Sequence, residues 1–314
     1  MAIEIVSENN LDYDEWAELT DDRFMVSPGF ASVWRARGGE PVFFIERENN
    51  RIRAGISGVI FGTGPFRRYE SMPEGLYGGQ YFFKDCTDED KRSFLDKFCN
   101  FLGSNKIVRA LIHRPMHEIK SSIFRQKTCS THEIHLDEGG YRPSDSKVRK
   151  HIRASKERGG RIERLDREED IERFYELAVL TKKRHRQKPG HPREFFYKLF
   201  QLSKTDGRIL WLKTMLDDIM IASQIIFVDR NEAFSWQLYA DRQYSHYKPG
   251  FLMRDYALNL ISEKGVRIFN MGSTPGESPS LIQYKESWDA RKIDFLSYEY
   301  YSSIGKLLHR CRIL

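Results

Sequence analysis

Apolar residues in this chain recur at two periods, and the switches between them mark out the elements. Residues 41–46 (PVFFIE) and 52–61 (IRAGISGVIF) read as strands across a polar turn. Residues 209–214 and 219–228 repeat the arrangement, and 41–60 overlays 209–228 without a gap, Ala54 falling on Ala222. This is a weak sign of a duplicated unit. An amphipathic segment starts at Trp16. Thr87 caps a helix carrying Phe94, Leu95, Phe98 and Leu102, with Gly103 placed to end it. Residues 107–112 form a strand, 119–126 a short helix and 130–137 a further strand. Glu138-Gly139-Gly140 then breaks the pattern. A domain boundary there divides the chain into residues 1–140 and 141–314.

The second half begins with a charged helix over 147–158, capped by Ser146, and a short strand over 161–165. Ile171, Phe174, Tyr175 and Ala178 make a helical stripe, and Pro192 opens a helix with Phe195, Phe196, Leu199 and Phe200. Three strands follow. In the third, 232–240, the alternation places Phe234, Trp236, Leu238 and Ala240 on one face. Pro249-Gly250 leads into a helix with Met253, Tyr256, Ala257, Leu260 and Ile261 on one side. A strand over 266–271, a short helix over 280–286 and a strand over 293–301 complete the order β-α-α-β-β-β-α-β-α-β. That order is α/β with a mixed sheet rather than a doubly wound one.

The length of 314 residues fits roughly two domains of about 150 residues each. No run of about 20 apolar residues is present, so no transmembrane segment is expected. The acidic N-terminus lacks the regions of a secretory signal. Four scattered cysteines without a CxxC fit neither a disulfide framework nor zinc. His132 and His135 fall on opposite faces of a strand, so no metal site is expected. The expectation is a reduced, cytoplasmic protein. The formal charge of +6 is uneven. Residues 1–22 hold eight acids and no base, residues 142–164 nine bases against three acids, and residues 182–193 six bases and no acid. Two basic segments on a slightly acidic body point to an anionic partner, with a solvated helix face and loop as the competing reading.

Four segments resemble the FemABX-like group of two-domain GNAT-fold proteins. Ser71-Met72-Pro73 to Tyr77-Gly78-Gly79 is similar to a first-domain loop of the form SLP…YGG. Residues 131–137 followed by KVRKHIRA (147–154) are similar to the domain junction. HYKPGFLMRDYA (246–257) is similar to the loop entering a long helix. Phe269-Asn270-Met271-Gly272 with Tyr284-Lys285 is similar to a closing FDxG…FK. The resemblance implies tandem GNAT-like domains and transfer of an acyl or aminoacyl group from an activated donor to an amine. The acceptor would be a cell-wall precursor or another amine. It implies no bound cofactor: the donor is aminoacyl-tRNA or acyl-CoA. The glycine-rich loop typical of coenzyme A users is replaced by RQYSHYKPG (242–250), where one glycine remains and Pro249 has no N–H. This departure favours aminoacyl-tRNA. Acetyl-CoA-dependent acetylation of a small amine or amino sugar, and a non-catalytic RNA-binding scaffold, are the alternatives.

The resemblance makes Lys285 the residue facing donor phosphate or developing charge. Lys248, Arg242 and Gly250 are expected at the donor, by charge and by place at a helix N-terminus. His246 has a suitable pKa for proton transfer, and Glu277 lies in a polar loop after a strand. A loop histidine and a solvated acid are the competing readings. Tyr77, Gly78, Tyr284 and Trp288 are substrate-side candidates, although turn geometry explains the glycine and core packing the two aromatics of 284–288.

Overall fold

The computed structural model describes residues 2–184, 186–274 and 278–311. The chain runs β1 (Ala2–Val6), α1 (Tyr13–Thr20), α2 (Pro28–Val33), β2 (Glu40–Glu48), β3 (Arg51–Phe61), β4 (Arg68–Glu70), β5 (Gln80–Phe82), α3 (Asp88–Ser104), β6 (Arg109–His113) and β7 (Phe124–His135). It continues through α4 (Ser146–Glu157), β8 (Gly160–Arg164), α5 (Glu169–Arg184), α6 (Arg193–Thr205), β9 (Ile209–Leu216), β10 (Ile219–Val228) and β11 (Glu232–Ala240). The last elements are α7 (Pro249–Glu263), β12 (Ile268–Ser273), α8 (Pro279–Glu286), β13 (Arg291–Tyr301) and α9 (Ser303–Arg310). Among the described residues no helix is long and apolar enough to cross a membrane.

Two compact units divide the chain differently from a single cut at residue 140. One comprises Met1–Cys129 with Asp294–Leu314, the other Ser130–Ile293. The cut at the Gly139-Gly140 break misses that β7 changes units within one strand and that the chain's end returns to the first unit.

Within the first unit the strands run β1-β2-β3-β4-β6-β13, with β5 also on β3. Within the second they run β7-β12-β11-β10-β9-β8. Read from the opposite end, the second order has the same design as the first. Each has an antiparallel edge pair, an antiparallel hairpin, and a fourth strand parallel to a fifth: β4 to β6 and β11 to β12. An antiparallel strand then flanks the fifth, β13 on β6 and β7 on β12. A helix precedes that fifth strand in the chain each time, α3 or α7. The overlaid hairpins of the sequence are β2–β3 and β9–β10.

Each unit buries its own core. In the first, Phe44, Tyr69, Phe94, Phe98 and Phe101 pack beneath α3, whose Thr87–Asp90 capping box starts the helix. In the second, α7 lays Met253, Ala257, Leu258 and Ile261 on the sheet beside Phe269 and Trp288. Helix α4 packs on α7 through Val148 and Ile152.

Four local expectations change. Residues 119–126 form no helix; Ile119 is buried while Ile123 is 44% exposed, so the pair has no common face to bury, and β7 starts at Phe124. Gly103 lies inside α3, which ends at Ser104 with Asn105 as its C-cap. Asp145, not Ser146, caps α4 by accepting from the Lys147 N–H. In β11 the alternation breaks. Ile226 faces Ser235 while Ile225 faces Gln237, so Trp236 is an extra residue in the strand. Phe234 stays buried, as expected, but Trp236, Leu238 and Ala240 are only partly so, and Ala233, Ser235 and Tyr239 are buried as well.

Trp288 is fully buried, with its ring stacked 5.9 Å from that of Phe251. Trp288→Ala is expected to lower the unfolding free energy by about 3–5 kcal/mol, the usual loss for a large core aromatic, in a urea titration. A loss near zero would remove the residue from the core.

Candidate functional site

The parallel pair β11–β12 is registered over only three residue pairs, ending at Phe234↔Asn270. Beyond that point residues 235–241 and Met271 with Ser273 line a cleft of about 620 Å³. Its other walls are the end of α5, the loop 242–248, the first two turns of α7, and α8.

Asn270 holds the point where the strands part. Its Oδ1 accepts from Thr131 Oγ1 at 2.5 Å and from the Gly272 N–H at 2.9 Å. Its Nδ2 donates to Glu232 at 2.7 Å and Glu133 at 3.3 Å. One buried amide thus ties β7, β11 and β12 together. Two residues of β12, Met271 and Gly272, oppose His132 alone on β7, making a bulge. Gly272 there has φ +74, a left-handed geometry that costs a residue with a Cβ.

That bulge presents carbonyls to Lys285. The Lys285 Nζ donates to Gly272 O at 2.5 Å and to Ser273 O at 3.1 Å, and the side chain is 3% exposed. Burial, with the nearby Arg254 charge adding to it, pulls its pKa down to about 8. The amine is mostly protonated at pH 7, and one of its three N–H bonds is left for a ligand.

Arg254, on the second turn of α7, is 4% exposed and lines the same cleft. Its guanidinium lies over the Phe269 ring at 5.0 Å, and among the described residues its Nε and Nη1 have no hydrogen-bond partner. Lys182, Arg184, Arg242 and Lys248 complete the cationic wall. The carboxylate among the lining residues, Asp241, accepts from Arg173 at 3.0 Å and from the Gln243 N–H at 3.0 Å. The cleft is therefore strongly positive.

Lys285, Arg242, Lys248, Gly250 and Tyr284, all expected from sequence, come together in this cleft. Lys248 closes the loop at φ +56, strained for a lysine, so that Pro249 can start α7. At Gly250 a Cβ would meet nothing within 4 Å. Both basic segments contribute. Lys182 and Arg184 come from the second, while in the first Arg158 donates to His246 O and Lys156 pairs with Asp255 at 3.2 Å, bracing the cleft loop and α7.

His246 is exposed and outside the lining, its ring against Tyr247. Glu277 lies outside the described residues. Trp288 is core. Tyr77 and Gly78 belong to the first unit, where the strand fork is stitched by their own loop. Gly78 N–H donates to His113 O at 3.0 Å, Ser71 N–H to Leu111 O at 2.8 Å, and Ser71 Oγ to Gly78 O at 3.0 Å. A Cβ at Gly78 would lie 2.9 Å from Ser71 O, so the loop needs glycine to pass. The Tyr77 ring carries the Arg114 guanidinium at 4.5 Å.

Arg254 was legible in principle. With Ala257, Leu258 and Ile261 it makes an i, i+3, i+4, i+7 stripe, and a charge on a buried stripe is the informative exception.

Residues 144–286 match the acetyltransferase (GNAT) domain family. No curated protein matches the sequence. Among solved structures the chain is similar to FemX, with TM-score 0.70 and 11% identity, covering 100% of each chain. It is similar to the C-terminal domain of a putative lysylphosphatidylglycerol synthetase from Agrobacterium fabrum (TM-score 0.62, 12% identity, 96% of this chain and 98% of that one). A tandem GNAT protein from the clavulanic acid biosynthesis pathway gives TM-score 0.56 at 11% identity, with 96% and 98% covered. At these identities the likeness is one of fold: two GNAT-like units, the second carrying the matched domain.

Lysine labelled for NMR is expected to show Lys285 titrating near pH 8. In Arg254→Met the midpoint should rise but stay below an ordinary lysine, because burial is the larger cause and remains. The sign for stability follows. The unfolded chain keeps this proton up to an ordinary lysine pKa, so the cost of burying the charge eases as pH rises from about 8 toward that value. A midpoint unmoved by Arg254→Met would contradict the coupling.

Proposed function

We propose that this chain, whose residues 144–286 match the acetyltransferase (GNAT) domain family, moves an acyl or aminoacyl group from a phosphate-bearing activated donor to an amine, with aminoacyl-tRNA the favoured donor. The observation that carries the reading is the buried Lys285 at the parted ends of β11 and β12, inside a wall of cations. A polyanionic donor suits that wall, since phosphates supply most of the affinity in nucleic-acid binding.

The helix mouth supports tRNA over coenzyme A. Pro249 has no N–H, and the Phe251 N–H is already given to Lys248 O at 3.0 Å. A backbone cradle for pyrophosphate is thus thin, and side-chain cations from several elements take its place. The domain of the putative lysylphosphatidylglycerol synthetase, which is similar in fold, carries a name that speaks of an aminoacyl group.

In the reaction, the acceptor nitrogen attacks the ester carbonyl and a C–N bond forms. The carbonyl oxygen carries negative charge until the C–O bond to the donor ribose breaks. The proton lost by the amine ends on the departing oxygen. The protonated Lys285 is held by two carbonyls and lines the cleft with one N–H still to give, suited to stabilising the oxyanion or the leaving oxygen. Its lowered pKa makes it an effective proton donor near neutral pH. Acetyl-CoA-dependent transfer is the second reading, supported by the family match itself.

The full chain, given labelled aminoacyl-tRNA or acetyl-CoA with a cell-wall peptide precursor bearing a free amine, is expected to transfer only from aminoacyl-tRNA. Its tRNA affinity should fall steeply with salt. Neutralising Lys248 should lessen the salt slope by about 1. Transfer from acetyl-CoA alone would overturn the donor, and tRNA binding without transfer would overturn catalysis. A second test uses the alkaline limb. kcat/KM should fall above pH 8 as Lys285 loses its proton, and Lys285→Arg, which stays charged, should lose that limb. A limb unchanged in Lys285→Arg contradicts the assignment.

A further inference from the structure

We propose that Arg254 and Lys285 form a buried oxyanion subsite at the floor of the cleft, separate from the exposed cations at its rim, that takes a carboxylate or phosphate carried by one of the substrates. The inference deepens the transfer reading by naming a charged group the substrate must bring to the floor, and it rests on that cleft being where the substrates bind.

Arg254 and Lys285 are 4% and 3% exposed, whereas Arg242 and Arg184 are exposed and Lys248 and Lys182 half-buried. Two cations removed from water and facing one cavity are costly unless an anion joins them. Lys285 has two carbonyls. Among the described residues Arg254 has the face of Phe269, while its Nε and Nη1 donors are buried and meet no acceptor. Among the described residues no carboxylate pairs with Arg254, and the lining carboxylate, Asp241, is occupied by Arg173 and the Gln243 N–H. A planar guanidinium with open donors suits a carboxylate or phosphate oxygen edge, which would satisfy both the hydrogen bonds and the charge. The Lys285 ammonium lines the same cleft and adds its positive charge to the anion's place, its remaining N–H being kept for the reacting oxygen. Rim and floor then have separate tasks. The rim meets a phosphate chain in water, while the floor meets one anionic group out of it.

Calorimetric titration of the full chain with inorganic phosphate and, separately, with acetate tests this without turnover, so it can fail independently of the transfer reaction. At least one anion should bind. Arg254→Met should weaken that binding by about tenfold or more, as expected for charged hydrogen bonds. Preference for acetate would assign the floor to a substrate carboxylate, and preference for phosphate to the donor. Should Arg254→Met fail to fold, the wild-type chain still decides the question. Saturating anion should raise the Lys285 titration midpoint above about 8, because a nearby negative charge favours the ammonium. Binding of neither anion, equal binding by folded Arg254→Met, or an unmoved Lys285 midpoint would each overturn the proposal.

Discussion

The site depends on the parting of β11 from β12 at Asn270. A parallel pair that stayed in register would have no cleft. Here the Asn270 side chain satisfies Thr131, Glu133, Glu232 and the Gly272 backbone at once, and so fixes where pairing stops. The Gly272 bulge follows from that fixed point, and it turns two carbonyls toward Lys285. A lysine drawn into that place loses water, and its pKa falls with it. Fold and chemistry are thus joined through one buried amide.

The first unit shows what the same topology does when the fork is closed. Its β4 and β6 also form a parallel pair, but the Ser71–Gly79 loop then returns between their ends and donates to the strand carbonyls. The two units share strand order and differ in whether a loop occupies the fork. This difference accounts for a sequence in which the repeat is faint while the basic segments lie in only one half. Both segments serve the open fork, one by lining it and the other by bracing its loop.

Much of this was legible in the sequence, because amphipathic stripes and hairpin turns are local. The hairpins, α5 to α7 and the order around them follow from periodicity. The gathering of Lys285, Lys248, Arg242, Gly250 and Tyr284 followed from family resemblance and charge. What escaped depends on long-range pairing. Nothing local marks the extra residue at Trp236, which only the β10 register reveals and which puts the alternation out of step beyond it. Strand β7 begins in polar residues, FRQKT, and crosses units, so neither its start nor the true division was visible. Arg254 hid in an apolar stripe, where a charge is easily taken for an exposed flank. Trp288 and His246 had the chemistry for a site, but packing placed one in the core and the other in solvent.

The donor's reacting end is expected to lie between the parted strands beside Lys285. A crystal structure of the full chain with a hydrolysis-resistant aminoacyl-adenosine analogue tests it most directly. Density for the acyl carbonyl within hydrogen-bond reach of the Lys285 Nζ is the predicted result. An analogue bound elsewhere, with the β11–β12 cleft unoccupied at full ligand occupancy, would contradict the account.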